Sequence, residues 1–207
     1  MNQKEATLEL AMKNSGVLLT KQVSQAGIPR TVLKQLVDSN KLSLIQRGVY
    51  VTKNGFVDDF FLLQQKYSKG VYSHETALFL LGFSDRTPTK ITMTFKHGYS
   101  TGQVKKENIH PVTISKNYDI GVSEIIRNGE KIKVYNIERT LVDLLKPRYD
   151  LDYEQLIPAL KKYAAYEKRD VNKLFKYARI FKVEEKIRNY MMVLLWRLKT
   201  QWVLKKE

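Results

Sequence analysis

Hydrophobic positions recur along this chain with two periods, and the change from one to the other marks its parts. In residues 3–13, Leu8, Ala11 and Met12 fall on one side of a helix, and Asn14, Ser15 and Gly16 end it. A short apolar connector, 17–19, leads to Thr20, whose hydroxyl predicts an N-cap for a helix over 21–26 that buries Val23 and Ala26. Gly27 permits a left-handed turn. Pro29 then opens the next helix, where its missing N–H would be unpaired in any case. Over 29–39, Val32, Leu33, Leu36 and Val37 form one stripe at helical spacing. The period then shortens: 42–46 and 48–51 read as two strands bent at Arg47–Gly48. Helix, turn, helix and a two-stranded wing make a winged helix-turn-helix.

Asn54–Gly55 is a turn signal and sets the expected boundary between a winged helix-turn-helix domain, 1–55, and a second domain, 56–207. A helix over 58–67 is expected to pack Phe60, Phe61, Leu63 and Tyr67. Ser73 is positioned to cap the helix HETALFLLG, which ends at Gly82. Strand patterns follow at 90–95, 112–114, 121–127 and 131–135, and Asn128–Gly129 between the last two favours a tight hairpin turn. Asn136 caps the helix IERTLVDLL. From Asp152 onward the pattern is helical: Leu156, Ile157, Leu160, Tyr163 and Ala164, then Val171, Leu174, Phe175 and Ala178, then Ile187, Tyr190, Met191, Leu194, Leu195 and Leu198. The fold class is α+β: a winged helix-turn-helix, a mixed α/β part over 56–148 with an antiparallel sheet, and a helical part over 149–207.

Charge adds a partner class. Lys and Arg number 36 against 21 acidic residues, a net charge of +15, and from Phe56 on there are 28 basic against 18 acidic residues. Such an excess favours polyanions, nucleic acid above all, although some of it is the solvated face of helices. The outer side of the second helix-turn-helix helix presents Arg30, Thr31, Lys34 and Gln35, with no acidic residue until Asp38. These side chains donate to base edges and to phosphates. Lys21, Lys41, Arg47 and Lys53 are candidates for positioning the module on the DNA backbone. Cysteine is absent, which excludes disulfides, thiolate catalysis and cysteine-based zinc sites and fits a reducing compartment. The N-terminus carries Glu5 and Glu9 and no apolar signal segment, and the longest apolar run, 190–196, is too short for a bilayer, so a cytoplasmic location is expected.

Catalytic chemistry finds little footing. In SHETAL the position four after His74 is Leu78, so the helix presents no second imidazole for zinc, and His97 and His110 stand apart. No metal or cofactor is expected. Arg139 and Asp143 are four apart on one helix and form either a surface or hinge ion pair or part of a functional site. Ser73 and Glu75 likewise read as a cap and a first-turn carboxylate or as functional groups. There is no glycine-rich phosphate loop and no carboxylate cluster spaced for two metals, so an enzyme is not expected; the residual enzymatic alternative is a nuclease around Glu124, Glu130 and Lys131–Lys133.

Three segments together resemble a known family: RGVY at 47–50, YSHETALFLLGFSDRTP at 72–88 and YNIERTLVDLL at 135–145. In this order, ahead of a helical C-terminus, they are similar to the AbiEi antitoxins, the repressor half of a two-gene abortive-infection system directed against phage. The resemblance implies that the N-terminal domain binds inverted repeats in its own promoter and represses transcription. It implies that the C-terminal domain antagonises a nucleotidyltransferase-like toxin as a type IV antitoxin, without requiring a stable complex. On that reading Ser73, His74, Glu75, Arg139 and Asp143 are the candidates for antitoxin activity. The alternative is a winged-helix transcription factor with a ligand-sensing or dimerising C-terminal domain and no toxin.

Overall fold

The structure, a computed structural model, describes residues 2–147 and 153–204, with side chains apart from those of 153 and 195–204. Its contacts divide the chain into two units, Met1–Ser68 with Glu124–Ile132, and Lys69–Ser123 with Lys133–Glu207.

The first unit holds α1 (Gln3–Met12), β1 (Val17–Leu19), α2 (Thr20–Gln25), α3 (Thr31–Asp38), β2 (Leu42–Gln46), β3 (Val49–Thr52) and α4 (Asp59–Lys66). The apolar connector is thus a strand. It pairs antiparallel with β3 through Val17–Val51 and Leu19–Val49, giving a sheet of order β1-β3-β2. Leu18 joins a core with Ala11, Val23, Val32, Leu33 and Leu36, whereas Val17 and Leu19 pack with Val49, Val51 and Phe61. A strand covered on both faces is apolar throughout and shows no alternation, which hides it from a periodicity reading.

The same packing moves the expected boundary at 55/56. Phe61 of α4 is fully buried against Val17, Leu19 and Val49, so α4 belongs to the first unit. Burying such a ring contributes about 2 kcal/mol. Asp58 caps α4 by accepting from the Phe61 amide, and its own amide donates to Asn128 Oδ1 at 2.7 Å. Arg127 pairs with the Asp58 carboxylate at 3.2 Å. The hairpin tip, 124–132, is therefore part of this unit.

Smaller differences have local causes. Thr20 is the first residue of α2 and not its cap, because Gln22 Oε1 accepts from the Leu19 amide at 2.8 Å and supplies the N-terminal closure instead. Ala26 and Met12 are exposed, the latter at 72%. Helix α3 starts at Thr31, two residues later than the proline rule suggests, since Pro29 and Arg30 form a leading turn bonded through the Val32 and Leu33 amides.

The second unit is built on β4 (Val71–Tyr72), α5 (His74–Leu80), β5 (Ile91–Lys96), β6 (Ile109–Ile114), β7 (Val122–Arg127), β8 (Glu130–Tyr135), α6 (Ile137–Leu144), α7 (Tyr153–Ala165), α8 (Val171–Ile180) and α9 (Glu184–Leu204), the part of β7 and β8 within 124–132 being counted with the first unit. Its sheet has the order β6-β5-β4-β8-β7. Asn128 and Gly129 both take positive φ, 48° and 73°, as the β7–β8 turn requires. The α+β class stands, but the sheet expected to be antiparallel is mixed: β4–β5 is antiparallel, and β4–β8 and β5–β6 are parallel. The connection 97–108, with a 3-10 turn at Val104–Lys106, is long enough to cross over and bring β6 parallel to β5.

Helix α6 sits at the centre of this unit. Asn136 caps it by accepting from the Arg139 amide, and all eight of its residues are buried. Leu141, Leu144 and Leu145 pack with Leu78, Leu156, Leu160, Leu174 and Ile187 from the surrounding helices. Because α6 has no solvent face, Glu138, Arg139 and Asp143 must find partners inside the protein. Glu138 receives the Tyr163 hydroxyl at 3.4 Å and faces Lys173 Nζ at 3.9 Å. Asp152 lies outside the described residues, as do the side chains of Leu195 and Leu198 on α9. Among the described residues no helix is long and apolar enough to cross a membrane.

Candidate functional sites: a basic helix face and a buried ionic cluster

In the first unit α3 is amphipathic in the simplest sense. Val32, Leu33 and Leu36 anchor it in the core, and Arg30, Thr31, Lys34 and Gln35 are all exposed on the other side. Arg30 is oriented by donating from Nε to Ser24 Oγ at 3.1 Å, which ties it to the preceding helix. Arg47 stands exposed at the wing tip beside Gly48, whose φ of 83° makes the bend. Lys34, Lys41, Arg47 and Lys53 make no ion pair among the described residues. Lys21 does: its ammonium lies 2.7 Å from Glu130, which also accepts from Gln22 at 2.9 Å. Its charge is already balanced, unlike that of the other candidate phosphate contacts.

Lys41 and Lys53 lie at the end of the β2–β3 hairpin away from Arg47. There they line a groove of about 750 Å³ with Leu8, Met12 and Phe56. The structure therefore gathers Arg30, Thr31, Lys34 and Gln35 on one face and spreads the remaining cations around it. On β2 a bulge between Leu44 and Gln46 leaves Leu44 and Ile45 turned outward, 55% and 45% exposed. A simple alternation would have buried one of them, so these exposed apolar wing residues have no signature in the sequence.

In the second unit Ser73, His74, Arg139 and Asp143 come together, and Glu75 lies in the first turn of α5. The Ser73 hydroxyl does not cap α5. It accepts from Thr94 Oγ1 at 2.9 Å and faces His74 Nδ1 at 3.0 Å. His74 is buried and holds a φ of 54°, a strained backbone for a residue of its shape. Ser73 N–H···O=C Thr92 and Thr92 N–H···Oγ1 Thr76 pin this segment to β5.

The Arg139–Asp143 pair is not on the surface and not at a hinge. The two side chains are 0% and 2% exposed, with Nε 2.9 Å from Oδ2. Arg139 Nη1 donates to the carbonyls of Asn117 at 2.9 Å and Ile120 at 2.6 Å. The rings of Tyr135 and Phe181 lie 4.2 and 4.0 Å from the guanidinium carbon. Nη2 has no hydrogen-bond partner among the described residues. Lys146 forms an ion pair with Asp143 Oδ1, so one carboxylate serves two cations. Gly121, at φ 79°, passes so close to this helix that a Cβ there would come within 2.6 Å of Arg139 Cβ. Lys146, Thr94 and the two carbonyls were not singled out in the sequence. The spacing 139, 143 and 146, which carries one face of α6 just past its C-terminal end, was the available signal for Lys146.

Burial pushes the His74 imidazole down to about 4, against an opposing pull from Asp143, with Lys146, Arg139 and His110 lowering it further. The unfolded chain takes up a proton near 6.5 that the folded chain refuses until about 4, so stability falls as pH drops through that window. Between pH 7 and 5 the loss is about 2 kcal/mol. Urea unfolding should show it in the native chain and a flatter profile in His74→Asn, since asparagine accepts positive φ. Equal slopes for the two chains would remove His74 as the source.

Three helices with a hairpin wing, followed by an α+β unit, define a winged helix-turn-helix protein of two units. Residues 5–53 match the family model described as "Transcriptional regulator, AbiEi antitoxin". The likeness to the AbiEi antitoxin regulators covers this N-terminal segment. Its fold is similar to the crystal structure of the RV2827C protein from Mycobacterium tuberculosis, at 14% identity and a TM-score of 0.53. That likeness covers 94% of this chain and 81% of the other. No curated protein sequence matches the chain.

Proposed function

We propose that the chain is the antitoxin of a bacterial abortive-infection toxin–antitoxin system and the repressor of its own operon. The observation that carries the reading is the exposed face of α3, where Arg30, Thr31, Lys34 and Gln35 precede the one acidic residue, Asp38, at its C-terminal end, within a domain that matches the AbiEi regulators. In operation, α3 enters the major groove with Arg30 and Thr31 at its leading end and Lys34 and Gln35 one turn on, where they meet base edges. Arg47 at the wing tip and the other cations meet phosphates and supply most of the salt-dependent affinity. An inverted repeat offers two half-sites, one for each of two copies. The second unit carries the antagonism of a nucleotidyltransferase-like toxin in the cytoplasm, with Ser73, His74, Glu75, Arg139 and Asp143 as its candidate residues and no stable complex needed.

Removing residues 1–55 is a poor test of this division, because it strips α4 of the sheet that buries Phe61. Point substitutions on α3 separate the two roles cleanly. The proposal requires a nucleotidyltransferase-like toxin encoded beside this chain, and cells expressing it should regain growth when the chain is co-expressed. The Arg30→Ala, Lys34→Ala double variant should restore growth equally while failing to silence a reporter driven by the chain's own promoter. Absence of growth rescue by the native chain would exclude the antitoxin half of the proposal.

A further inference from the structure

We propose that the second unit contains a binding site for a small organic oxyanion, a carboxylate or phosphate monoester with a short apolar body. The site is a cavity of about 330 Å³ beside β6, with Arg139, Asp143 and Lys146 on one side and Pro111, Val112 and Ile114 on the other. That volume is in the range of small-molecule sites.

Three features point to the ligand's chemistry. Arg139 and Lys146 share the single carboxylate of Asp143, so among the described residues the ionic group keeps one uncompensated positive charge. Arg139 is completely buried and lines the cavity, yet Nη2 has no acceptor among the described residues. Buried donors are rarely left without a partner, and a guanidinium nitrogen has only donors to offer, so the missing partner is an acceptor. The guanidinium is also fixed in place by Asp143, by the carbonyls of Asn117 and Ile120, and by the two flanking rings. A donor held this way is pre-organised, and little freedom is lost when an oxyanion meets it. Lys146 remains 24% exposed and adds a cation reachable from solvent. Pro111, Val112 and Ile114 of β6, beside His110 and Thr113, give apolar surface for the ligand's carbon body. Asp143 opposes a second anionic group on the ligand, which selects a ligand with one anionic head.

Titration of the ¹⁵N-labelled full chain with phenyl phosphate and, separately, benzoate at fixed ionic strength tests the site. Saturable shifts are expected at the amides of His110 and of 112–114 and at the Arg139 side-chain Nε–H, and the tighter of the two probes identifies the head group. Lys146→Gln should weaken binding at least about tenfold. Val112→Trp, a change on the sheet edge that narrows the cavity, should abolish it while the remaining spectrum stays folded. Shifts confined to residues 30–35, shifts that never saturate, or affinity unchanged in both variants would overturn the proposal.

Discussion

Replacing Arg30 and Lys34 together by alanine should lower affinity for promoter DNA about 100-fold at moderate salt and leave thermal unfolding unchanged. Each base-reading side chain is worth about 1–3 kcal/mol, and about 1.4 kcal/mol is a tenfold change in affinity. Truncating both therefore lowers affinity by roughly two decades or more. Both side chains are exposed and neither enters the core, so the change in stability should stay within about 0.5 kcal/mol. Fluorescence anisotropy with a labelled promoter fragment measures the affinity, and repeating it across salt concentrations separates the roles. Removing a group that reads a base lowers specific binding more than non-specific binding, whereas removing one that holds a phosphate lowers both. The same protocol applied to Arg47→Ala should show the second pattern, with a shallower salt slope. Full affinity in the double variant would place the recognition surface elsewhere.

Asp143→Ala should destabilise the second unit by about 3–5 kcal/mol, the usual consequence of removing one partner from a buried ion pair. Here the loss is compounded, because the carboxylate serves Arg139 at 2.9 Å and Lys146 as well. Without it a guanidinium that is 0% exposed keeps only its two carbonyl acceptors and its ring contacts. Urea unfolding of the single variants Arg139→Ala and Asp143→Ala and of the double variant should show strong coupling, the double change costing clearly less than the sum of the singles. Additive effects would mean that the pair does not act as a unit. The result also governs how functional data are read. A variant at Asp143 that loses antitoxin activity after losing several kcal/mol of stability reports on folding, and Lys146→Gln at the edge of the cluster is the more informative probe.

Much of the first unit was legible because its elements state themselves locally. The stripe Val32, Leu33, Leu36 and Val37 announces α3 and its free face, Arg47–Gly48 announces the wing, and Asn128–Gly129 announces a hairpin. What was hidden depends on partners distant in sequence. Strand β1 is apolar on both faces and strand β4 has two residues, so neither carries a period. Asn54–Gly55 is a genuine turn but not a boundary, because the chain doubles back there: a Cβ on Gly55 would meet Val51 at 2.5 Å and Gly16 at 2.8 Å. The ionic cluster was half visible. Spacing placed Arg139 beside Asp143, but their burial follows from helices α5, α7 and α8 closing around α6, and the approach of His74 and Thr94 follows from β5. A four-residue spacing reports that two charges can meet. It carries no information on whether water reaches them.

The most direct test of the central claim is a footprint of the full chain on the DNA upstream of its own gene, with equal concentrations of shuffled competitor. Protection of an inverted repeat at nanomolar protein, lost in the Arg30→Ala, Lys34→Ala variant and undisturbed by the competitor, is the predicted result. Uniform weak protection, or binding that the shuffled DNA displaces equally well, would show that the basic face of α3 attracts polyanions without reading an operator.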